Sequence, residues 1–160
     1  MDKNTREAMF SSKSNEWGTP QAFFDELDKQ YMFTLDPCST ASNAKCRMYF
    51  TEDTDGLEQD WGGHSVFMNP PYGREISKWI KKAYEESKRD NTRVVCLIPA
   101  RTDTKYWHEY CMKADEIRLV KGRLSFGDGK GSAPFPSAVV IFDTNKSTPK
   151  LSAIDRYDQS

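Results

Sequence analysis

The sequence lacks any long apolar run. No uninterrupted apolar stretch among its 160 residues approaches the roughly 20 residues that a membrane-spanning helix requires. The polar N-terminus is also not followed by the apolar segment of a secretory signal. These two absences predict a soluble, cytoplasmic protein without a membrane partner.

An excess of charge of either sign is lacking as well. The chain carries 23 Lys and Arg residues against 24 Asp and Glu residues, which gives a formal net charge of −1. A protein that coats nucleic acid through bulk charge has a positive excess. Any contact with nucleic acid must therefore come from local basic patches. The length suits one domain with a sizeable core.

Metal-binding patterns are absent too. The four cysteines form no Cys-x-x-Cys pair, and the two histidines complete none of the usual zinc patterns. We therefore expect no bound metal, and reduced thiols, which are the rule in the cytosol.

The most informative stretch that the chain does contain is Asn69-Pro70-Pro71-Tyr72, called the tetrad below. It follows an apolar run at residues 66–68, which predicts a buried strand. It precedes residues 76–84, whose apolar side chains recur at helical spacing. A loop between a strand and a helix of an open α/β sheet lies at the carboxyl ends of the strands, where ligands bind.

The residue types of the tetrad indicate what it could bind. Asn69 offers an amide oxygen, and the two prolines lack N–H donors, so that carbonyl groups are the main backbone partners. Tyr72 adds a flat ring with a polar tip. Two acceptors beside an aromatic plane suit a planar ring that bears an exocyclic NH2 group. A plain strand-to-helix turn is the alternative, but the full tetrad directly after an apolar strand favours a binding site.

Strand-like and helix-like segments alternate along the chain. The strand-like runs cover residues 33–38, 46–50, 66–68, 93–99, 116–120 and 137–142. The alternation predicts an α/β fold with a mostly parallel sheet and helices on both faces. The last strand is expected to be antiparallel, because it returns from its neighbour without a helix. Residues 1–16 are expected to form a flexible lead-in, 17–143 a single domain and 144–160 a polar tail.

The tetrad resembles the catalytic motif of S-adenosylmethionine-dependent amino-group methyltransferases. From about Trp17 to Phe142 the chain resembles the short phage-type DNA N6-adenine methyltransferases. The resemblance implies a Rossmann-like methyltransferase fold, S-adenosylmethionine as cofactor, DNA as substrate, and a phage- or prophage-encoded protein in a bacterial host. It implies that Asn69 and Pro70 accept hydrogen bonds from the amino group of a flipped-out adenine. Tyr72 would stack on this base, and its ring should matter more than its hydroxyl.

The segment before the first strand carries a Thr-Pro element. Thr19 and Pro20 predict the start of a helix, with Thr19 as the N-cap and Pro20 as the first helical residue. The resemblance implies in addition that this element helps to hold the methionine end of the cofactor, flanked by Trp17.

Asp36-Pro37-Cys38 ends the first predicted strand. A simple turn led by Asp-Pro is one interpretation. The resemblance implies another, in which this element grips the cofactor and the Asp36 carboxylate binds its ammonium group. The glycines that the family has in the following loop are replaced here by Ser, Thr and Ala.

Three further carboxylates are candidates for cofactor binding. Glu52 and Asp53 follow the second predicted strand, about 20 residues beyond the first loop, where an acid binds ribose hydroxyls in nucleotide-binding folds. The sequence does not choose between them. Asp60 precedes an aromatic residue and resembles the element that reads the cofactor's adenine amino group. An ordinary solvated turn carboxylate is the alternative for each.

Besides Tyr72, candidate DNA contacts come from four residues. The resemblance implies that Phe135, which lies between two prolines, stacks on the target base, although it could also pack onto the core. Arg101 follows a predicted strand and could pair with a phosphate or with a neighbouring acid. Lys121 and Arg123 belong to a local basic patch that could meet phosphates. No separate target-recognition domain is evident, so loops, and a second subunit in a homodimer, would have to supply recognition.

Two other kinds of protein remain open at this point. The tetrad also occurs in methyltransferases that act on RNA bases or on protein glutamine amides. A relative that binds DNA without catalysis would carry the same fold.

Overall fold

The computed structural model of the chain describes residues 18–126, 132–143 and 148–157. The predicted lead-in at residues 1–16 and the candidate Trp17 lie outside the described residues. The helices are α1 (Gln21–Tyr31), α2 (Ile76–Glu86) and α3 (Lys105–Glu109). The strands are β1 (Leu35–Asp36), β2 (Met48–Tyr49), β3 (Ser65–Met68), β4 (Arg93–Pro99), β5 (Glu116–Lys121), β6 (Ser137–Phe142) and β7 (Lys150–Asp155).

All seven of these strands belong to one sheet with the order β2-β1-β3-β4-β6-β5-β7. Neighbouring strands are parallel except where β6 is involved, because β6 is antiparallel to both β4 and β5. The structure therefore confirms the expected α/β fold with a mostly parallel sheet and an antiparallel strand at residues 137–142. The strand-like runs at residues 93–99 and 137–142, each apolar after its first residue, become β4 and β6, the buried centre of the sheet.

The register of the strands places α1 and α2 on opposite faces of the sheet. Phe24 of α1 packs against Phe67 of β3, with ring centroids 5.0 Å apart. Tyr84 of α2 packs against Phe142, which pairs through β4 with Val66. Because adjacent residues of a strand point to opposite faces, the neighbours Val66 and Phe67 face different helices. Both faces of the central strands are thus covered.

Strand β7 corrects the expected polar tail. Residues 150–155 pair in parallel with β5, from Glu116 beside Lys150 to Lys121 beside Asp155. Only Ile154 of this strand is buried, and Leu151 is 68% exposed. An edge strand that buries one side chain has no clear apolar alternation, so its sequence resembles a polar tail. The last strand is therefore a parallel one.

The start of α1 also differs from its prediction. Pro20, rather than Thr19, occupies the N-cap position, and no side chain caps the helix. The carbonyl of Pro20 accepts the first helical hydrogen bond from the N–H of Phe24, at 3.0 Å. Since Thr19 is not a cap, its buried hydroxyl is available for the contact described next.

Candidate active site

Four chain segments that carry candidate residues meet at one edge of the sheet. Strands β1, β3 and β4 are parallel, so their carboxyl ends lie at the same edge. Asp36 ends β1, the tetrad follows β3, and Arg101 follows β4. Strand β6 is antiparallel to β4, so its amino end lies at this edge, and Phe135, just before β6, lies there too. The N–H of Ala100 donates to the carbonyl of Pro136 at 2.8 Å and ties two of these segments together.

The side-chain amide of Asn69 is held at both ends. Its Nδ2 donates to Oγ1 of Thr19 at 2.8 Å, and its Oδ1 accepts from the hydroxyl of Tyr72 at 2.9 Å. An amide oxygen can accept two hydrogen bonds, and Tyr72 supplies one. The amide is therefore oriented with its oxygen turned towards the rest of the tetrad.

The hydroxyl of Tyr72 has a role that the sequence did not indicate. It lies 2.9 Å from Oδ1 of Asn69 and 3.2 Å from the carbonyl oxygen of Leu97. Tyr72 is only 5% exposed, and burial raises the pKa of its phenol well above the ordinary value. The hydroxyl therefore stays protonated and remains a hydrogen-bond donor.

The ring of Tyr72 is covered by Phe135. Their centroids are 5.5 Å apart with an angle of 76° between the planes, so Phe135 meets Tyr72 edge-on. The guanidinium of Arg101 lies 5.8 Å from the centroid of Phe135. A base sandwiched between two rings needs two van der Waals layers, about 7 to 8 Å between the rings. The structure brings the three predicted residues together, but without space for a base between the rings.

Asp36 closes the loop that follows β1. Its two carboxylate oxygens accept hydrogen bonds from the backbone N–H groups of Cys38, at 3.4 Å, and Lys45, at 3.0 Å. Burial raises the pKa of Asp36 to about 6, against the lowering effect of these bonds and of the Lys45 charge. A side chain thus holds together the loop in which the family's glycines are missing.

The loop after Asp36 also fits a polar, cationic ligand. The hydroxyl of Ser39 is buried and has no hydrogen-bond partner among the described residues. Asp36 is a buried carboxylate whose hydrogen bonds come from backbone groups rather than from a cationic side chain. A buried anion and an unpaired hydroxyl both gain from a ligand that carries an ammonium group.

Pro37 and Cys38 pack tightly beside this loop. A Cβ atom at Gly56 would lie 2.0 Å from the carbonyl oxygen of Pro37, so only glycine fits at residue 56. Burial raises the pKa of Cys38 well above its ordinary value, while the backbone N–H of Asn69 opposes the shift. Cys38 therefore lies next to the tetrad as a neutral thiol rather than as a nucleophile.

The three other candidate carboxylates do not meet the tetrad directly. Glu52 and Asp53 are exposed in the turn after β2. Asp60 forms an ion pair with Arg89 at 3.1 Å. The next residue, Trp61, donates its N–H to Glu86 at the far end of α2 from the tetrad. Their roles in cofactor binding stay predictions.

The basic candidates lie at the same edge of the sheet as the tetrad. Strand β5 runs parallel to β4, because both are antiparallel to β6, and Lys121 and Arg123 are exposed at its carboxyl end. Arg156, which follows β7, also lies at this edge, although its sequence context did not indicate it, and it donates to the carbonyl of Arg123 at 3.2 Å. A residue in an expected tail gave no signal that it would return to this edge.

Neither a metal centre nor a membrane segment is found in the part of the chain that the structure describes. No three His, Cys, Asp or Glu residues there are grouped so that they could hold a metal ion. None of its helices has the length and apolar character needed to cross a bilayer.

The strand order, the antiparallel strand β6 and the tetrad at the carboxyl end of β3 define a protein with a Rossmann-like methyltransferase fold. Comparison with known families shows to which methyltransferase family the sequence belongs. A sequence model of the DNA N-6-adenine-methyltransferase (Dam) family matches residues 7–158, and the chain belongs to that family. The resemblance that the tetrad indicated is thereby confirmed.

Two phage proteins, both named DNA N-6-adenine-methyltransferase, are similar to the chain. The protein of Escherichia phage T1 is 30% identical over 111 residues, which cover 68% of this chain and 46% of the relative. The protein of Haemophilus phage HP1 (strain HP1c1) is 29% identical over 136 residues, which cover 79% of this chain and 78% of the relative. The chain thus spans less than half the length of the first relative.

Proposed function

We propose that the chain transfers a methyl group from S-adenosylmethionine to the N6 amino group of adenine in DNA. The observation that carries this proposal is the Asn69 amide, held between Thr19 and Tyr72 at the ligand-binding edge of the sheet. Membership of the DNA N-6-adenine-methyltransferase family supports the choice of substrate.

The cofactor would be held mainly by the loop after β1. When bound, S-adenosylmethionine supplies a methyl group activated by a positively charged sulfur. The buried carboxylate of Asp36 and the unpaired hydroxyl of Ser39 suit the polar methionine end of this molecule. The remaining cofactor contacts are proposed at Trp17, Thr19, Pro20, Pro37, Cys38, Asp60 and either Glu52 or Asp53.

The tetrad would orient the substrate amino group. Oδ1 of Asn69 and the carbonyl of Pro70 accept one hydrogen bond each from the two amino hydrogens. These bonds direct the nitrogen lone pair towards the methyl donor and stabilise the positive charge that develops on nitrogen. Pro71 stiffens the loop between these acceptors and Tyr72. Transfer would be direct, without a covalent intermediate on the protein: S-adenosylhomocysteine would leave, and the methylated nitrogen would release one proton to solvent.

The adenine would have to leave the duplex to reach the tetrad, because its amino group is otherwise paired and stacked. Tyr72 stacks on the flipped base. Since Phe135 lies 5.5 Å from Tyr72, it must move away before it can cover the other face of the base. Arg101, Lys121 and Arg123 contact phosphates from the same edge of the sheet.

The biological setting belongs to the same proposal. The similar phage proteins support a phage or prophage origin and action on DNA in the cytoplasm of a bacterial host. A second copy of the chain would complete the recognition of DNA.

The proposal is tested by transfer of a labelled methyl group to unmethylated DNA, with N6-methyladenine quantified after digestion. We expect activity in the wild type and its loss in Asn69→Ala, with binding of S-adenosylhomocysteine retained in both. Gln30→Ala is a matched control, because it removes an exposed amide near the far end of α1. Wild-type activity in Asn69→Ala would show that the tetrad does not take part in methyl transfer as proposed.

The same assay separates the alternatives. Methylation of RNA or of a protein amide, but not of DNA, would identify another amino-group methyltransferase. Binding of DNA without consumption of the cofactor would identify a catalytically silent relative.

A further inference from the structure

The contact between Thr19 and Asn69 joins two segments that are far apart in the chain. Oγ1 of Thr19 accepts a hydrogen bond from Nδ2 of Asn69 at 2.8 Å, across 50 residues of sequence. Thr19 is only 6% exposed. Its hydroxyl does not cap α1, so a helix start does not explain a threonine here.

We infer that Thr19 is a positioning residue for methyl transfer, whose hydroxyl holds the Asn69 amide with its oxygen facing the substrate amino group. The inference deepens the proposed function and rests on it. It differs from the role in cofactor binding that the family resemblance implies for Thr19.

The amide needs such a restraint because its two ends are chemically opposite. The oxygen accepts a hydrogen bond from the substrate amino group, whereas the NH2 group, itself a donor, would oppose that amino group. The terminal torsion of an asparagine side chain is broad and roughly two-fold, so it selects weakly between the two orientations. Anchoring Nδ2 to Thr19 and Oδ1 to Tyr72 fixes the plane of the amide, and a rotation must break both hydrogen bonds before the two hydroxyls, which can each donate and accept, bind the exchanged ends.

The packing of α1 keeps the Thr19 hydroxyl in place. Phe23, Phe24 and Leu27 are buried against the sheet directly after the Thr-Pro element. Phe24 meets Phe67 edge-on at 5.0 Å, on the strand that leads into the tetrad. The start of α1 and the end of β3 therefore form one packed unit. A hydroxyl on one of them is a stable reference point for an amide on the other.

A pair of substitutions separates the hydroxyl from the shape of the side chain. Thr19→Val keeps the size and branching of threonine but cannot accept the hydrogen bond, whereas Thr19→Ser keeps the hydroxyl. We expect Thr19→Val to lower kcat roughly tenfold, the rate equivalent of one hydrogen bond. KM for S-adenosylmethionine and the Kd of S-adenosylhomocysteine should stay within about twofold. Thr19→Ser should restore most of kcat.

A second measurement does not depend on methyl transfer. The side-chain NH2 resonances of Asn69 are identified in an NMR spectrum of the labelled full chain by their loss in Asn69→Ala. They should move in Thr19→Val and stay near their wild-type position in Thr19→Ser. If a urea titration shows no cooperative unfolding transition for Thr19→Val, Thr19→Ala replaces it in both measurements.

Three results would overturn the inference. A rise in cofactor KM and Kd with unchanged kcat would make Thr19 a cofactor contact instead. Equal losses of kcat in Thr19→Val and Thr19→Ser would point to packing. Unmoved Asn69 resonances in Thr19→Val would show that Thr19 and Asn69 form no hydrogen bond. This result would hold whatever the activity of the chain. An inactive wild type with moved resonances would refute the proposed function and leave the contact intact.

Discussion

Replacing Asp36 with asparagine should change how the stability of the protein depends on pH. Asp36 is a buried carboxylate at the end of β1, and burial raises its pKa from 3.8 to about 6 in the folded protein. Between these two values the folded state binds more protons than the unfolded state. Stability must therefore fall as the pH rises through this window. The asparagine side chain cannot ionise and contributes no such change.

The pKa shift sets the size of the effect. One pKa unit corresponds to about 1.4 kcal/mol. The rise from 3.8 to about 6 therefore predicts that ionisation of Asp36 lowers the free energy of unfolding by roughly 3 kcal/mol. The stability that protonated Asp36 contributes, relative to ionised Asp36, is fully present below about pH 4 and is lost above about pH 6. The Asp36→Asn variant also loses part of the hydrogen bonding to Cys38 and Lys45. These bonds strengthen when Asp36 ionises, and the pKa of about 6 already includes that effect.

The assay is urea unfolding of the wild type and Asp36→Asn at a series of pH values from 4 to 8. The free energy of unfolding of the variant, relative to that of the wild type, should rise by about 2 to 3 kcal/mol between pH 4 and pH 7 and then stay level. Asp90→Asn, at an exposed carboxylate, is the control and should differ from the wild type by about 0.5 kcal/mol or less throughout. A difference that is flat, or that falls as the pH rises, would refute the reasoning.

Ligand binding extends the same prediction. A bound ammonium group favours the ionised form of Asp36. The affinity for S-adenosylhomocysteine should therefore rise as the pH passes through about 6 in the wild type. If Asp36→Asn shows the same rise in affinity, Asp36 does not bind the ammonium group.

Three further predictions follow from other parts of the structure. Gly56→Ala should destabilise the protein by about 3 kcal/mol in urea unfolding, because its Cβ would lie 2.0 Å from a backbone oxygen. Gly18→Ala is the control and should be nearly neutral, since there is open space around Gly18. Equal stabilities of the two variants would contradict the tight packing at Gly56. Arg101→Gln should weaken DNA binding and reduce the slope of log K against log salt concentration by about 1, as measured by fluorescence anisotropy at several salt concentrations. An unchanged slope would show that Arg101 does not contact a phosphate. Burial raises the pKa of Cys46 and Cys111 to about 12, so both thiols should react slowly with a disulfide reagent at pH 8 and quickly in urea, and rapid labelling of the folded protein would contradict this.

Much of the fold was predictable because burial leaves a local periodic signal. The continuous apolar runs at residues 93–99 and 137–142 coincide with β4 and β6, and the helical spacing of residues 76–84 lies within α2. The antiparallel direction of β6 followed from the lack of a helix before it. Strand β7 was missed because it buries only one side chain.

The chemical character of the site was also readable from the sequence. The tetrad carries its acceptors and its ring within four adjacent residues, so their types and their order predict a site that suits an amino group. The resemblance that the match to the family model confirmed starts from the same four residues.

What the tertiary structure alone decided is how these residues are held. Thr19 meets Asn69 across 50 residues, and Phe135, in the segment before β6, covers Tyr72. Each contact depends on where helix docking and strand order place distant segments, and the local sequence carries no trace of it. The sequence by itself therefore determined which hydrogen-bond acceptors and which aromatic ring the tetrad carries. The folded chain determined its geometry, because only packing sets the distances between side chains that are remote in sequence.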